Sequence, residues 1–210
     1  MTVKLDHILL GAPDLDTASS QFAALTGVTP ATGGTHPGFG TRNRLVSLGP
    51  DVFFEVIAPD PAQEVGGKQR AEMIAGLSHP ALLTFAIQTT DIDGLRARAE
   101  AAGLSTTGRV PMHRTRPDGV RLDWTVIRFT HPLYGETVPF GIDWQGSPHP
   151  ATTSPSGCTL RHLTVLHPEP AGLEDIYRRL GLDVAVQGSL RPGFVVELDT
   201  PKGGVCFLGK

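Results

Sequence analysis

Apolar and polar positions along the chain repeat one phrase three times: an apolar strand, an acidic residue placed to start a helix, an amphipathic helix, then glycine. The first copy runs through Leu5 to Leu10, Asp14, Phe22 to Leu25 and Gly27. The second runs through Leu82 to Ile87, Asp91, Leu95, Ala99 and Gly103, and the third through Leu160 to Val165, Glu169, Leu173, Ile176 to Leu180 and Gly181. Aligned on their start signals, the copies bring His7, Thr84 and His162 to one position, at spacings of 77 and 78 residues. Each acidic residue can cap the free N–H groups of its helix, and each glycine can take the left-handed conformation that ends it.

Strand-like runs separated by turn signals follow each helix. They are Arg42 to Leu48 and Val52 to Ile57 around a Gly49-Pro50-Asp51 turn; Gly108 to Met112, Val120 to Phe129 and Phe140 to Trp144 around Pro117 to Gly119; and Phe194 to Leu198 and Val205 to Leu208 around Pro201 to Gly204. Each copy reads as βαβββ. The fold class is therefore α+β, with modules over 1–77 and 78–145, a Pro-, Ser- and Thr-rich linker over 146–157, and a third βαβββ-like module over 158–210.

Composition narrows the function. The 210 residues are 40% hydrophobic and 19% charged, and the net charge of −3 comes with no basic stripe, so nucleic acid is not an expected partner. No segment is apolar for long enough to span a bilayer and no signal peptide opens the chain, so a cytoplasmic protein with no membrane partner is expected. Cys158 and Cys206 have no CxxC spacing and are expected to be reduced and buried or half-buried, without a disulfide.

Three phrases carry a family resemblance: Leu5-Asp6-His7, the stretch from Gly33 to Asn43 with His36 and Thr41 inside it, and the stretch from Phe54 to Pro61 containing Glu55. With the order of elements, they resemble the glyoxalase-like domains of the vicinal-oxygen-chelate superfamily, over roughly residues 1 to 145. The resemblance implies that two modules pair their curled sheets into a cup that holds a small-molecule ligand and a metal. It leaves the third module unpaired, which points to a homodimer through that module or to its packing on the first pair.

The resemblance also implies metal ligands at His7 and Glu55, with Glu55 catalytic, and an ion such as Fe, Mn, Ni or Zn. On local grounds both side chains interrupt apolar strands, and a half-buried carboxylate needs a partner. Thr84 and Phe140 stand where the second module would supply its own ligands, so two donors remain. Recruits from His36, His79, His113, His131 and Asp143, ligands from another subunit, and a metal-free cup all stay open. The glycines at 33, 34, 38 and 40 read as a loop that brings His36 to the cup, with Thr41, Asn43 and Trp124 as further ligand-binding residues. Three classes of function follow: a metal-dependent lyase, isomerase or dioxygenase acting on a substrate with adjacent oxygens, a non-catalytic small-molecule or drug-sequestering protein, or an interaction protein that dimerises through its third module and keeps only a vestigial cup. His162 and Cys206 read as packing residues, and His167 as a solvated turn residue.

Overall fold

The computed structural model describes residues 3–116 and 118–209; Met1, Thr2, Lys210 and Pro117, the first residue of one expected turn, lie outside the described residues. The first module comprises β1 (Lys4–Gly11), α1 (Leu15–Thr26), β2 (Ala31–His36), β3 (Thr41–Ser47) and β4 (Phe53–Pro59). A short helix, α2 (Gln69–Ala75), leads to the second module: β5 (Ala81–Gln88), α3 (Ile92–Ala101), the two-residue strand β6 (Ser105–Thr106), β7 (Val110–Thr115), β8 (Arg121–Ile127), β9 (Phe129–Thr130) and β10 (Phe140–Asp143). The third comprises β11 (Thr159–His167), α4 (Pro170–Leu180), β12 (Ala185–Gly188), β13 (Gly193–Thr200) and β14 (Gly203–Gly209).

Helix boundaries follow their caps. The Asp14 and Asp91 carboxylates accept from Thr17 N and Gly94 N at 2.7 and 2.9 Å, and Gly27 and Gly181 end α1 and α4 at φ 82° and 78°. Glu169 departs from the expected pattern. Its side chain makes no capping bond; Pro170 presets the first turn of α4, and His167 Nδ1 accepts from Glu169 N at 3.0 Å. The stretch from Gly33 to Gly40 also differs from a plain loop. Residues 31–36 pair with β3, the glycines at 33 and 34 falling at a register shift, and only residues 37–40 form the turn.

The first two modules share one eight-stranded sheet in the order β2-β3-β4-β1-β5-β10-β8-β7, joined where β1 runs antiparallel to β5. The sheet curls until its ends approach: Arg114 on β7 donates from Nη1 to the Gly33 carbonyl on β2. Alternation then sorts the side chains. Ile8, Leu10, Phe54, Val56, Phe85 and Ile87 face outward into the main core with α1 and α3, while His7, Leu9, Glu55, Trp124 and Phe140 line the inside of the cup.

The third sheet has the order β12-β11-β13-β14. β12 lies parallel to β11 as β4 does to β1, and β13 lies antiparallel to β11 as β5 does to β1. Its own third strand thus fills the edge at which the first two modules join, which is why this module forms no second cup. It packs instead on the outer face of the large sheet. Phe207 lies 5.6 Å from Phe22 and 5.3 Å from Phe54, and Phe85 meets Tyr177 and Phe194 at 6.0 and 6.4 Å, all within one continuous core. Residues 146–157 are tied down too: Ala151 is buried with Leu45 and Phe53, and Ser47 N donates to the Pro155 carbonyl at 2.9 Å.

Candidate functional site

The cup encloses a cavity of about 620 Å³, within the range of small-molecule sites. One wall is polar and is built from adjacent strands. On β1 the pairing with β5 slips between Leu5 and His7, so Asp6 is a bulged residue and Asp6 and His7 both turn into the interior. The same slip occurs one module later, at Leu83 before Thr84, and again at Arg161 before His162. The bulge therefore repeats with the sequence phrase and places His7, Thr84 and His162 equivalently in their strands.

Asp6 is fully buried and accepts three hydrogen bonds: from His7 Nδ1 at 2.5 Å, Trp144 Nε1 at 2.9 Å and His149 Nε2 at 3.2 Å. Burial alone would raise its pKa, but the bonds from His149 and His7 outweigh that and hold the carboxyl below its usual range. With Nδ1 engaged, His7 presents Nε2 to Glu55 Oε2 at 3.5 Å. Glu55 Oε1 accepts from Asn43 Nδ2 at 2.5 Å, and the same amide nitrogen reaches His36 Nε2 at 3.3 Å. This requires the tautomer in which His36 Nδ1–H donates to Thr41 Oγ1 at 2.8 Å. His7, Glu55, Asn43, His36 and Thr41 line the cavity and, with Asp6 buried behind them, are thus linked across four strands. The glycine at 33 makes room for it, since a Cβ there would collide with the Asn43 side-chain oxygen.

The other wall is aromatic. His7 stacks on Phe53 at 4.4 Å and meets the edge of Phe140 at 5.6 Å; Trp124 lies 6.1 Å from His36 and 5.4 Å from Trp144. Arg114 stands between the walls. Burial pushes its pKa down to about 10, an effect that the Glu55 charge partly offsets, and the guanidinium stays charged near neutral pH.

His36, Thr41, Asn43, Glu55, His7 and Trp124 all line this cavity, together with Thr84 and Phe140. Of the possible recruits to a metal, His36 is in the cavity but engaged by Asn43 and Thr41, and His131 stands at its mouth. His79 and His113 are exposed, and Asp143 accepts from Gln145 N at 2.9 Å away from the cavity. Among the described residues no group of three or more His, Cys, Asp and Glu side chains is placed to hold a metal ion. A catalytic transition metal takes about three protein donors, and here a phenyl ring fills the position opposite Glu55. The donor set does not fit such an ion.

Several residues differ from their sequence reading. His162 and Cys206 are exposed, on the outer face of the third sheet, while Cys158 is buried. Their strands, β11 and β14, alternate, and the inward positions go to Leu163 and Val165 on the first and Phe207 on the second, which pack on the core. His167 is buried, with Nε2 at 3.3 Å from the Leu133 carbonyl and its ring against Tyr134 at 4.9 Å. The sequence reading passed over Asp6, Arg114, Trp144 and His149. Arg114 had a signal, the alternation Val110, Met112, Arg114 along one strand face.

Burial lowers the pKa of His36, with Arg114 and His7 acting in the same direction and Glu55 against them. Below the ordinary histidine value of 6.5 the unfolded chain takes up a proton that folded His36 refuses, so stability is highest above that pH and falls as pH drops through it. Urea midpoints at about pH 7.5 and about pH 5.5 are expected to converge in His36→Gln relative to the native chain. An unchanged gap between them would contradict this placement of His36.

Among the described residues no helix is long and apolar enough to cross a membrane. Among curated proteins, none matches the chain in sequence. A hypothetical protein from Staphylococcus aureus shares its fold over 100% of this chain and 86% of that one, at TM-score 0.65 and 15% identity. Methylmalonyl-CoA epimerase from Mycobacterium tuberculosis matches at TM-score 0.45 and 19% identity, over 66% of this chain and 86% of its own. A Streptomyces coelicolor methylmalonyl-CoA epimerase in complex with 2-nitronate-propionyl-CoA matches at TM-score 0.48 and 17% identity, over 71% of this chain and 100% of its own. The repeated modules, the curled sheet and a match of residues 5–181 to the family model described as a glyoxalase-like domain agree, and the chain belongs to that family.

Proposed function

We propose that the cup binds a small carbonyl acid with adjacent oxygens and labilises the proton on the carbon next to its carbonyl, as an isomerase or lyase does. The observation that carries this reading is the linked wall from Asp6 to Thr41, which holds the Glu55 carboxylate in a cavity that also contains the buried Arg114 guanidinium. Glu55 takes the proton: the C–H bond breaks, its electron pair moves toward the carbonyl, and the developing oxyanion meets Arg114. A guanidinium fork suits two neighbouring oxygens, and Arg114 Nη1 is the one nitrogen of this side chain that the Gly33 carbonyl occupies. His7, fixed by Asp6, stands beside Glu55 to relay the proton back to carbon or onward. The aromatic wall accommodates the apolar part of the ligand. Because the donors fall short of a metal site, no step is assigned to an ion.

The test is solvent exchange. The native protein in D2O is expected to wash deuterium into the carbon next to the carbonyl of α-ketobutyrate, followed by proton NMR. Glu55→Gln, close to isosteric, should slow this by about a hundredfold or more. Exchange at the native rate in that variant would remove Glu55 as the base. The extent of the aromatic wall supports a second reading, binding without turnover, under which the native protein binds the acid with no exchange.

A further inference from the structure

The cavity is cationic although the chain is net negative: Lys68, Arg70, Arg114 and Arg128 line it against Glu55 and Glu136. Most of these charges are engaged. Arg70 pairs with Glu136 at 2.9 Å, Lys68 donates to the Glu64 carbonyl, and Arg114 donates to the Gly33 carbonyl. Arg128 is the exception. It continues the inward row Leu122, Trp124, Val126 on β8, and among the described residues its side chain makes no ion pair and no hydrogen bond. A guanidinium remains protonated in proteins, and this half-buried one, with no hydrogen-bonded anion, keeps its donors open to a ligand. Burial, with Arg70 nearby, lowers the Arg128 pKa, and the Glu136 charge offsets this only in part.

The guanidinium groups of Arg114 and Arg128 come from well-separated positions along the cavity wall. Arg114 pairs in register with Leu122, and Arg128 follows six residues later, just past the end of β8, about 20 Å along the backbone at extended spacing. Both side chains line one cavity, so an extended ligand with an anionic group at each end can meet both. Resting on the proposed reading of the cup, we infer that Arg128 is a specificity-determining residue that binds a second anionic group at the far end of the substrate, which is then an elongated diacid.

Calorimetric titration of the full chain with α-ketosuberate and with α-ketooctanoate, equal in chain length and differing in the terminal carboxylate, tests this. The diacid is expected to bind at least about tenfold tighter. Arg128→Leu should erase that preference while leaving the monoacid affinity within about twofold, and Arg128→Lys should restore part of it; circular dichroism on each variant establishes that it is folded. A diacid preference that survives in folded Arg128→Leu overturns the assignment. Equal affinities in the native protein overturn the Arg128 site and leave the cup reading standing, whereas binding of neither acid overturns both.

Discussion

Asp6→Ala is expected to destabilise the protein by about 3–5 kcal/mol, measured as the loss of unfolding free energy in urea. The carboxylate is fully buried and is the common acceptor for His7 Nδ1, Trp144 Nε1 and His149 Nε2. Truncation strands these donors where little water can replace the lost partner, and an unmade buried hydrogen bond costs about 1–3 kcal/mol. Asp6→Asn keeps the shape and one acceptor oxygen but presents an amide N–H₂ to a donor, so an intermediate loss is expected. The pH dependence follows from the lowered pKa. The Asp6 contribution is fully present above the ordinary value of 3.8 and is lost as pH falls through the depressed folded value, so the native and Asp6→Ala curves should approach each other in strong acid. A loss below about 1 kcal/mol near neutral pH would contradict the role of Asp6 as the organiser of this wall.

Removal of residues 158–210 is expected to have a larger effect: an aggregating or molten chain in place of a folded cup. That segment covers Phe22, Phe54 and Phe85 through Phe207, Tyr177 and Phe194, and Tyr177 also donates to the Thr137 carbonyl at 2.5 Å. Burying a large apolar side chain is worth about 1.5–3 kcal/mol. Uncovering three rings, with Leu82 and the rest of the outer face, removes an amount comparable to the whole stability of a domain, about 5–15 kcal/mol. Size-exclusion chromatography and near-ultraviolet circular dichroism read the outcome. A soluble truncated chain with native near-ultraviolet signal would show that the third sheet is dispensable for the core it covers.

The three modules were legible because their cues are local. Asp14 and Asp91 cap as residues of that type do, Gly27 and Gly181 take positive φ, and alternation set Ile8, Leu10 and Phe54 against His7 and Glu55. What escaped the sequence reading depends on partners distant in the chain. Asp6 faces inward only because β5 slips by one residue against β1, and nothing within Leu5 to Leu9 announces the slip. β12 is four residues of weak pattern made into a strand by β11 beside it. Arg114 and Arg128 obey alternation, but arginine is ordinarily exposed, so composition argued against the face their positions assign. His167 read as solvated because Pro168 follows it, whereas Tyr134 and the Leu133 carbonyl, more than thirty residues earlier, enclose it.

How the cup holds its ligand is best read from a crystal structure of the full chain grown with α-ketobutyrate. The acid is expected inside the cavity, with its adjacent oxygens on the Arg114 guanidinium, the carbon that loses its proton facing Glu55, and Glu55 still held by Asn43. An acid bound outside the cup, or inside it with Arg114 unengaged and that carbon turned away from Glu55, would remove Glu55 and Arg114 from the roles proposed for them.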